Sequence, residues 1–278
     1  MKPLESLIQR ALQEDAVSDD VTTSLLGEAQ NKPARAVLKA KKPGTFSGVA
    51  YVEAFQRVWG ESLNFTAQFR EGQCFATGDI LVKLVGTVGQ VLRAERTLIN
   101  GLSHSCGVAT LTAQYVKQLE GLPTILLATR KTLPGLRDLE LPAVAAGGGR
   151  IHRRSLCDGI LIKENHQAWA SESELVGVAK KARSPLHRIE IEVQDFAGLD
   201  RALATKPDVI LLDNFSVADL KRAVQVVAGR CDTEASGGVN LETVRAIAEA
   251  GVTAVSVGAL THSVTALDIS LDFEEGAP

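Results

Sequence analysis

The segments DGILIK (158–163), RIEIE (188–192), DVILLD (208–213) and DTEASGG (232–238) decide how the second half of this chain folds. Each is a short run that stops at a polar residue, and the stops at Lys163, Glu192, Asp213 and Ser236 succeed one another at intervals of 29, 21 and 23 residues. An interval of about twenty to thirty residues is what one strand, one helix and two short loops occupy in a parallel βα unit. In a closed or nearly closed βα barrel the carboxyl ends of the strands face one cleft, so side chains distant in sequence converge there. Chemistry is therefore expected at the strand ends.

Working outward, TILLA (124–128) and AVSV (254–257) extend the series of apolar runs, each separated from the next by helical patterning. Helix starts are announced by Ser171 with Glu174 three residues on, by Ser216, and by Asn240, with Gly251 as a stop. The first hundred residues alternate differently. SLNFTAQF (62–69) has a period of two and GDILVKLVG (78–86) reads as another strand, as does ARAVLKAK (34–41), while LESLIQRALQED (4–15) and VAYVEAFQRVWG (49–60) have helical spacing. The expected division is an N-terminal α+β domain over 1–104, joined by a returning strand within 266–278, and a barrel over 105–265.

The 278 residues are 45% hydrophobic with a net charge of −3, enough for a sizeable core and too neutral for nucleic acid to be the main partner. The first seventeen residues form a charged amphipathic pattern without a signal-peptide core, and no apolar run reaches the roughly eighteen residues of a membrane span, so a cytoplasmic protein is expected. Cys74, Cys106, Cys157 and Cys231 fit neither a disulfide framework nor a zinc site, and read as buried small residues.

Arg130 and Lys131 follow TILLAT, His152 and Arg153 follow the glycines 147–149, and Lys163 ends its own run. Gathered at one rim, these cations would bind a small polyanion, arginine forking onto carboxylates and lysine serving phosphate. Arg137 and Arg154 read as surface residues. Glu190 and Glu192 alternate with isoleucines and so point to the barrel interior, where a charge needs a partner or a metal. Glu190 suits a buried ion pair with a barrel lysine or arginine as well as it suits catalysis. Glu192 and Asp213, nearer the carboxyl ends, suit Mg²⁺ facing a diphosphate. Ser236 and Gly237, Gly258 after the next strand, and His262 offer phosphate contacts after the final strands. A lysine at a strand end also suits a Schiff-base aldolase, with Lys163 as nucleophile. EGQCFATGDILVKLVG (71–86) has the glycine spacing of carrier domains but lacks a lysine in a tight hairpin.

The ordered set TRKTLPGLR (129–137), AVAAGGGRIHRR (143–154), DGILIKENH (158–166), IEIEV (189–193), VILLDNF (209–215), EASGG (234–238) and SVGALTHS (256–263), with AERTLINGLSHSCGVAT (94–110) and QEDAVSDDVTTSLL (13–26) upstream, closely resembles the quinolinate phosphoribosyltransferases. The resemblance covers essentially the whole chain. It implies an N-terminal α/β sandwich, an incomplete α/β barrel, and a homodimer in which one subunit's N-terminal domain completes the other's site. It also implies that quinolinate and phosphoribosyl pyrophosphate give nicotinate mononucleotide, pyrophosphate and CO₂, with Mg²⁺. On this resemblance Arg130, His152, Arg153 and Arg96 of the partner subunit grip quinolinate. Lys131 and Lys163 neutralise pyrophosphate, Glu192 and Asp213 attend the ribose and metal, and Ser236, Gly237, Gly258 and His262 hold phosphate. Two departures stand out: Ala128 replaces the aspartate usual before TRKT, and Pro142 is expected to interrupt a helix that is commonly continuous.

Overall fold

The computed structural model of the chain describes residues 3–184 and 186–274, which form two compact units. The first comprises the chain up to Ala113, Thr132–Gly148 and the segment from Thr261 on. Its four-stranded antiparallel sheet has the order Ile269–Phe273, Pro33–Ala40, Ile80–Thr87, Asn64–Ala67. The returning strand pairs Leu271 with Leu38 and Ile269 with Ala40; residues 275–278 of the expected C-terminal segment lie outside the described residues. The inward side chains of these strands, Leu38, Phe65 and Leu84, meet Phe55 and Tyr51 of the helix Val49–Trp59 and Leu98 and Leu102 of the helix Val88–Gln118 in one apolar core.

The division differs from the contiguous one expected at 104/105. The helix Val88–Gln118 runs unbroken for 31 residues across that point, and the two units divide within it, at 113/114. Residues 132–148 join the first unit because Leu139, on the helix Arg137–Ala146, belongs to its core. That helix is continuous through Pro142, contrary to the expected interruption. A proline there removes one backbone donor, the one that would reach the Asp138 carbonyl, and the remaining turns hold.

The second unit comprises Gln114–Lys131 and Gly149–Leu260. It is built on a curled seven-stranded parallel sheet in the order Arg150–Ile151, Ile125–Ala128, Ala254–Val257, Asp232–Ser236, Val209–Asp213, Ile189–Val193, Ile160–Ile162. The two short outer strands do not pair with one another, so the barrel is incomplete. Register places Glu192, Leu211 and Glu234 on one level and Asp213 and Ser236 on the level above, toward the carboxyl ends. Helix starts follow the local signals. Ser171 and Glu174 form a reciprocal capping box and the Ser216 hydroxyl accepts from the Asp219 N–H; Asn240 instead caps a turn, its Oδ1 accepting from the N–H groups of Glu242 and Thr243, and the helix starts later, at Val244. No helix among the described residues is long and apolar enough to cross a membrane.

Of the four cysteines only Cys106 is buried. Cys74 is exposed because it points outward from the two-residue strand Cys74–Phe75, and Cys157 because it sits on the loop between two barrel strands; Cys231 is half-buried.

Ile191 is fully buried on the face opposite the two glutamates of its strand. Ile191→Ala is expected to lower stability by about 2–5 kcal/mol through lost burial and a residual cavity. Urea denaturation checks this; a loss under about 1 kcal/mol contradicts the packing described.

Candidate active site

A cavity of about 390 Å³ opens at the carboxyl ends of the parallel strands and is lined by Arg130, Lys131, His152, Arg153, Lys163, Glu192, Asp213 and Ser236, with Glu234 at its base. All but Glu234, which is mid-strand, sit at or near a strand end, and the alternation along each strand sends every second side chain inward. Lys163 caps the short helix Glu164–Gln167, and its ammonium donates to the Glu192 carboxylate. Glu192 is only 8% exposed, and its backbone carbonyl accepts from the Gln167 side chain at 3.1 Å. Asp213 accepts from Asn214 Nδ2 at 2.8 Å. Arg153 donates to the Gly159 carbonyl at 3.2 Å, and burial together with the neighbouring Arg130 charge holds its pKa below the usual arginine value.

The turn after Asp232–Ser236 is fixed by close contact. Asn214, itself at φ +59°, donates its N–H to the Ser236 carbonyl at 2.8 Å. A Cβ on Gly237, at φ +94°, would lie 2.1 Å from Asn214 Oδ1, so both the backbone angle and the space require glycine. Gly237 is exposed at the turn, and Gly258 follows the strand Ala254–Val257. Neither lines the cavity through a side chain. His262 and Arg96 belong to the first unit. His262 is exposed and its Nδ1 lies 2.7 Å from the Ser263 hydroxyl. Arg96 is largely exposed, 3.9 Å from Glu95, and lines a cavity of about 280 Å³ with Tyr51, Asn100 and His104. Arg154 is exposed as expected, whereas Arg137 is half-buried and donates to the Thr132 hydroxyl at 3.1 Å.

Beneath the rim, Glu190 has neither a lysine nor an arginine as its bonded partner, contrary to the ion pair anticipated. Its Oε2 lies 2.7 Å from His152 Nε2, and Glu234 Oε2 lies 3.4 Å from the same nitrogen. The three are the one group among the described residues whose metal-capable donor atoms all lie within 4.8 Å of one another. Burial, followed by the Glu190 charge, pushes the Glu234 carboxyl up to about 7. Burial works to lower the His152 pKa, but the bond from Glu190 and the charge of Glu234 outweigh it and raise the value.

Family models described as "Quinolinate phosphoribosyl transferase, N-terminal domain" and "Quinolinate phosphoribosyl transferase, C-terminal domain" match residues 20–106 and 108–272. The chain belongs to the quinolinate phosphoribosyl transferase family. It is 38% identical over 271 residues to the nicotinate-nucleotide pyrophosphorylase [carboxylating] of Mycobacterium leprae, covering 95% of each chain. It is 35% identical to the probable enzyme of that name from Bacillus subtilis, covering 97% of this chain and 93% of that protein. The solved nicotinate-nucleotide pyrophosphorylase of Francisella tularensis superposes with a TM-score of 0.91 at 33% identity, over 98% of this chain and 96% of that one.

Ala128 is buried on the face away from the cavity, between Thr129 and Leu127, and does not line it. Glu234 is the site residue that the sequence reading missed, although it alternates with Ser236 on the same face.

A carboxyl whose folded pKa lies above its unfolded value stabilises the fold at low pH and loses that contribution as pH rises toward the folded value. For Glu234 the window runs from 4.5 to about 7. Glu234→Gln, which mimics the protonated form at every pH, is expected to gain stability relative to the wild type between pH 5 and 8. Thermal melts across that range check it, and a constant difference between the two proteins contradicts it.

Proposed function

We propose that the chain transfers the phosphoribosyl group of phosphoribosyl pyrophosphate to quinolinate and decarboxylates the adduct, giving nicotinate mononucleotide, pyrophosphate and CO₂. Family membership carries the reaction. The observation that supports the residue roles is the convergence of Arg130, Arg153, His152 and the two lysines with Glu192 and Asp213 in one cavity.

The pyridine nitrogen already has a lone pair, so the nucleophile needs no general base. It attacks the anomeric carbon while the bond to pyrophosphate breaks, the electron pair leaving with the pyrophosphate. Lys131 and Lys163 neutralise the departing charge, and Glu192 or Asp213 stabilises the positive character that grows on the ribose without bonding to it. The carboxylate beside the now cationic ring nitrogen then leaves as CO₂. Its bonding pair stays at that ring carbon, stabilised by the adjacent positive nitrogen, until a proton adds. Arg130, Arg153 and His152 fix both carboxylates so that ring nitrogen and anomeric carbon meet.

Glu192 and Asp213 are hard oxygen donors at adjacent levels of neighbouring strands, a donor set that fits Mg²⁺ with waters and phosphate oxygens completing its shell. The ion would supply charge neutralisation at the diphosphate. We include in the proposal a homodimer in which Arg96 of the partner subunit reaches the quinolinate, Ser236, Gly237, Gly258 and His262 as phosphate contacts, and a cytoplasmic setting. The aldolase reading loses its support, since Lys163 is engaged by Glu192 and the family chemistry is phosphoribosyl transfer. The carrier reading fails too: Lys83 lies within a strand paired on both sides.

Arg153→Ala is expected to raise KM for quinolinate at least tenfold, as loss of a charge-assisted bond of about 1.5–3 kcal/mol requires, with KM for phosphoribosyl pyrophosphate within about threefold of the wild type. Steady-state kinetics with each substrate varied decides it, and equal changes in both contradict the assignment. Calorimetry with quinolinate and nicotinate in parallel is expected to show a preference of at least about tenfold for the diacid, because a site built for two carboxylates leaves cations unpaired with one; equal affinities contradict a two-carboxylate pocket.

A further inference from the structure

We infer that Glu190 and Glu234 are positioning residues that act through His152, holding it as an imidazolium whose Nε2–H is committed to them, so that Nδ1–H donates to one of the two substrate carboxylates and thereby sets the preference for a diacid. The inference rests on the reading that the front cavity holds a pyridine dicarboxylate.

The two carboxyl groups are 5% and 2% exposed, deeper than any group assigned to substrate or metal. Ion pairs at such depth are rarely retained for stability, since apolar residues of similar volume do as well or better. Both point at one atom. His152 Nε2 lies 2.7 Å from Glu190 Oε2 and 3.4 Å from Glu234 Oε2, so that nitrogen carries its proton and donates inward. Glu190 Oε1 is buried without a hydrogen-bond partner, an arrangement tolerated only where the other oxygen is firmly engaged.

His152 lines both the front cavity and a second one of similar size at the amino ends of the strands, and Glu234 lines both as well. The ring thus stands between two cavities. Without an anchor the imidazole could rotate about its bond to Cβ and exchange the two nitrogens. With Nε2 committed to the glutamates, Nδ1 is the nitrogen left for the substrate. A carboxylate is then its natural acceptor, and a pyridine with a single carboxylate leaves that donor desolvated and unpaired.

The test has two arms. In the first, imidazole ¹⁵N resonances are recorded on ligand-free wild type, Glu190→Gln and Glu234→Gln, with His152→Asn used to assign the signal. The wild type is expected to show a single His152 species with both nitrogens protonated and Nε2–H hydrogen-bonded, and both variants a signal shifted toward an average of neutral tautomers at the same pH. A wild-type signal in both variants overturns the positioning role whatever the substrate is. In the second arm, Glu234→Gln is expected to raise KM for quinolinate at least tenfold, with kcat and KM for phosphoribosyl pyrophosphate within about threefold. The His152→Asn, Glu234→Gln double variant should be no worse than His152→Asn alone; losses that multiply overturn the inference. If Glu234→Gln does not fold, Glu190→Gln carries both comparisons. A wild type that fails to turn over quinolinate defeats the function reading, and the resonance arm still decides the positioning.

Discussion

Charge inside a barrel has to be answered by charge. The inward faces of neighbouring strands carry Glu190, Glu192, Asp213 and Glu234, and carboxylates held this far from water cannot persist without cationic or hydrogen-bonding partners. His152 answers the lower pair and Lys163 answers Glu192. The consequence is a cavity in which His152 and Lys163 are held in place by acids beneath and beside them, with Arg130, Lys131 and Arg153 lining the same space. Positive groups fixed in this way need not reorganise when the substrate arrives.

The incompleteness of the barrel belongs to the same logic. Seven strands leave Arg150–Ile151 and Ile160–Ile162 unpaired with each other, and the residues that follow these two edges are His152, Arg153 and Lys163. A closed sheet would pack its interior with apolar layers; an open one admits polar side chains from both edges. The fold therefore places charged side chains where most barrels place valine and leucine.

Much of this was legible in the chain. The spacing of Lys163, Glu192, Asp213 and Ser236 revealed the βα units because parallel strands repeat at a nearly fixed interval, and period-two alternation put Glu190 and Glu192 inside. The same alternation applies to Asp232, Glu234 and Ser236. Glu234 escaped because an acidic residue amid DTEAS gives no apolar contrast, while register, which levels it with Glu192, is a property of paired strands and not of one. Arg96 carried no signal at all, since a lone arginine on a helix is the commonest of exposed residues. The interrupted helix expected at Pro142 failed for a different reason: packing of Leu139 and Leu141 outweighs one missing backbone bond. Cys106 is buried as expected, whereas Cys74 and Cys157 went astray because a small residue is free to sit on an edge strand or loop, and spacing says nothing of exposure.

The most direct measurement is a turnover experiment with quinolinate labelled in the carboxylate adjacent to the ring nitrogen, together with phosphoribosyl pyrophosphate and Mg²⁺. The account predicts labelled CO₂, pyrophosphate and nicotinate mononucleotide in equal amounts. Formation of a nucleotide that retains the label, or no nucleotide while another pyridine acid is consumed, would contradict it.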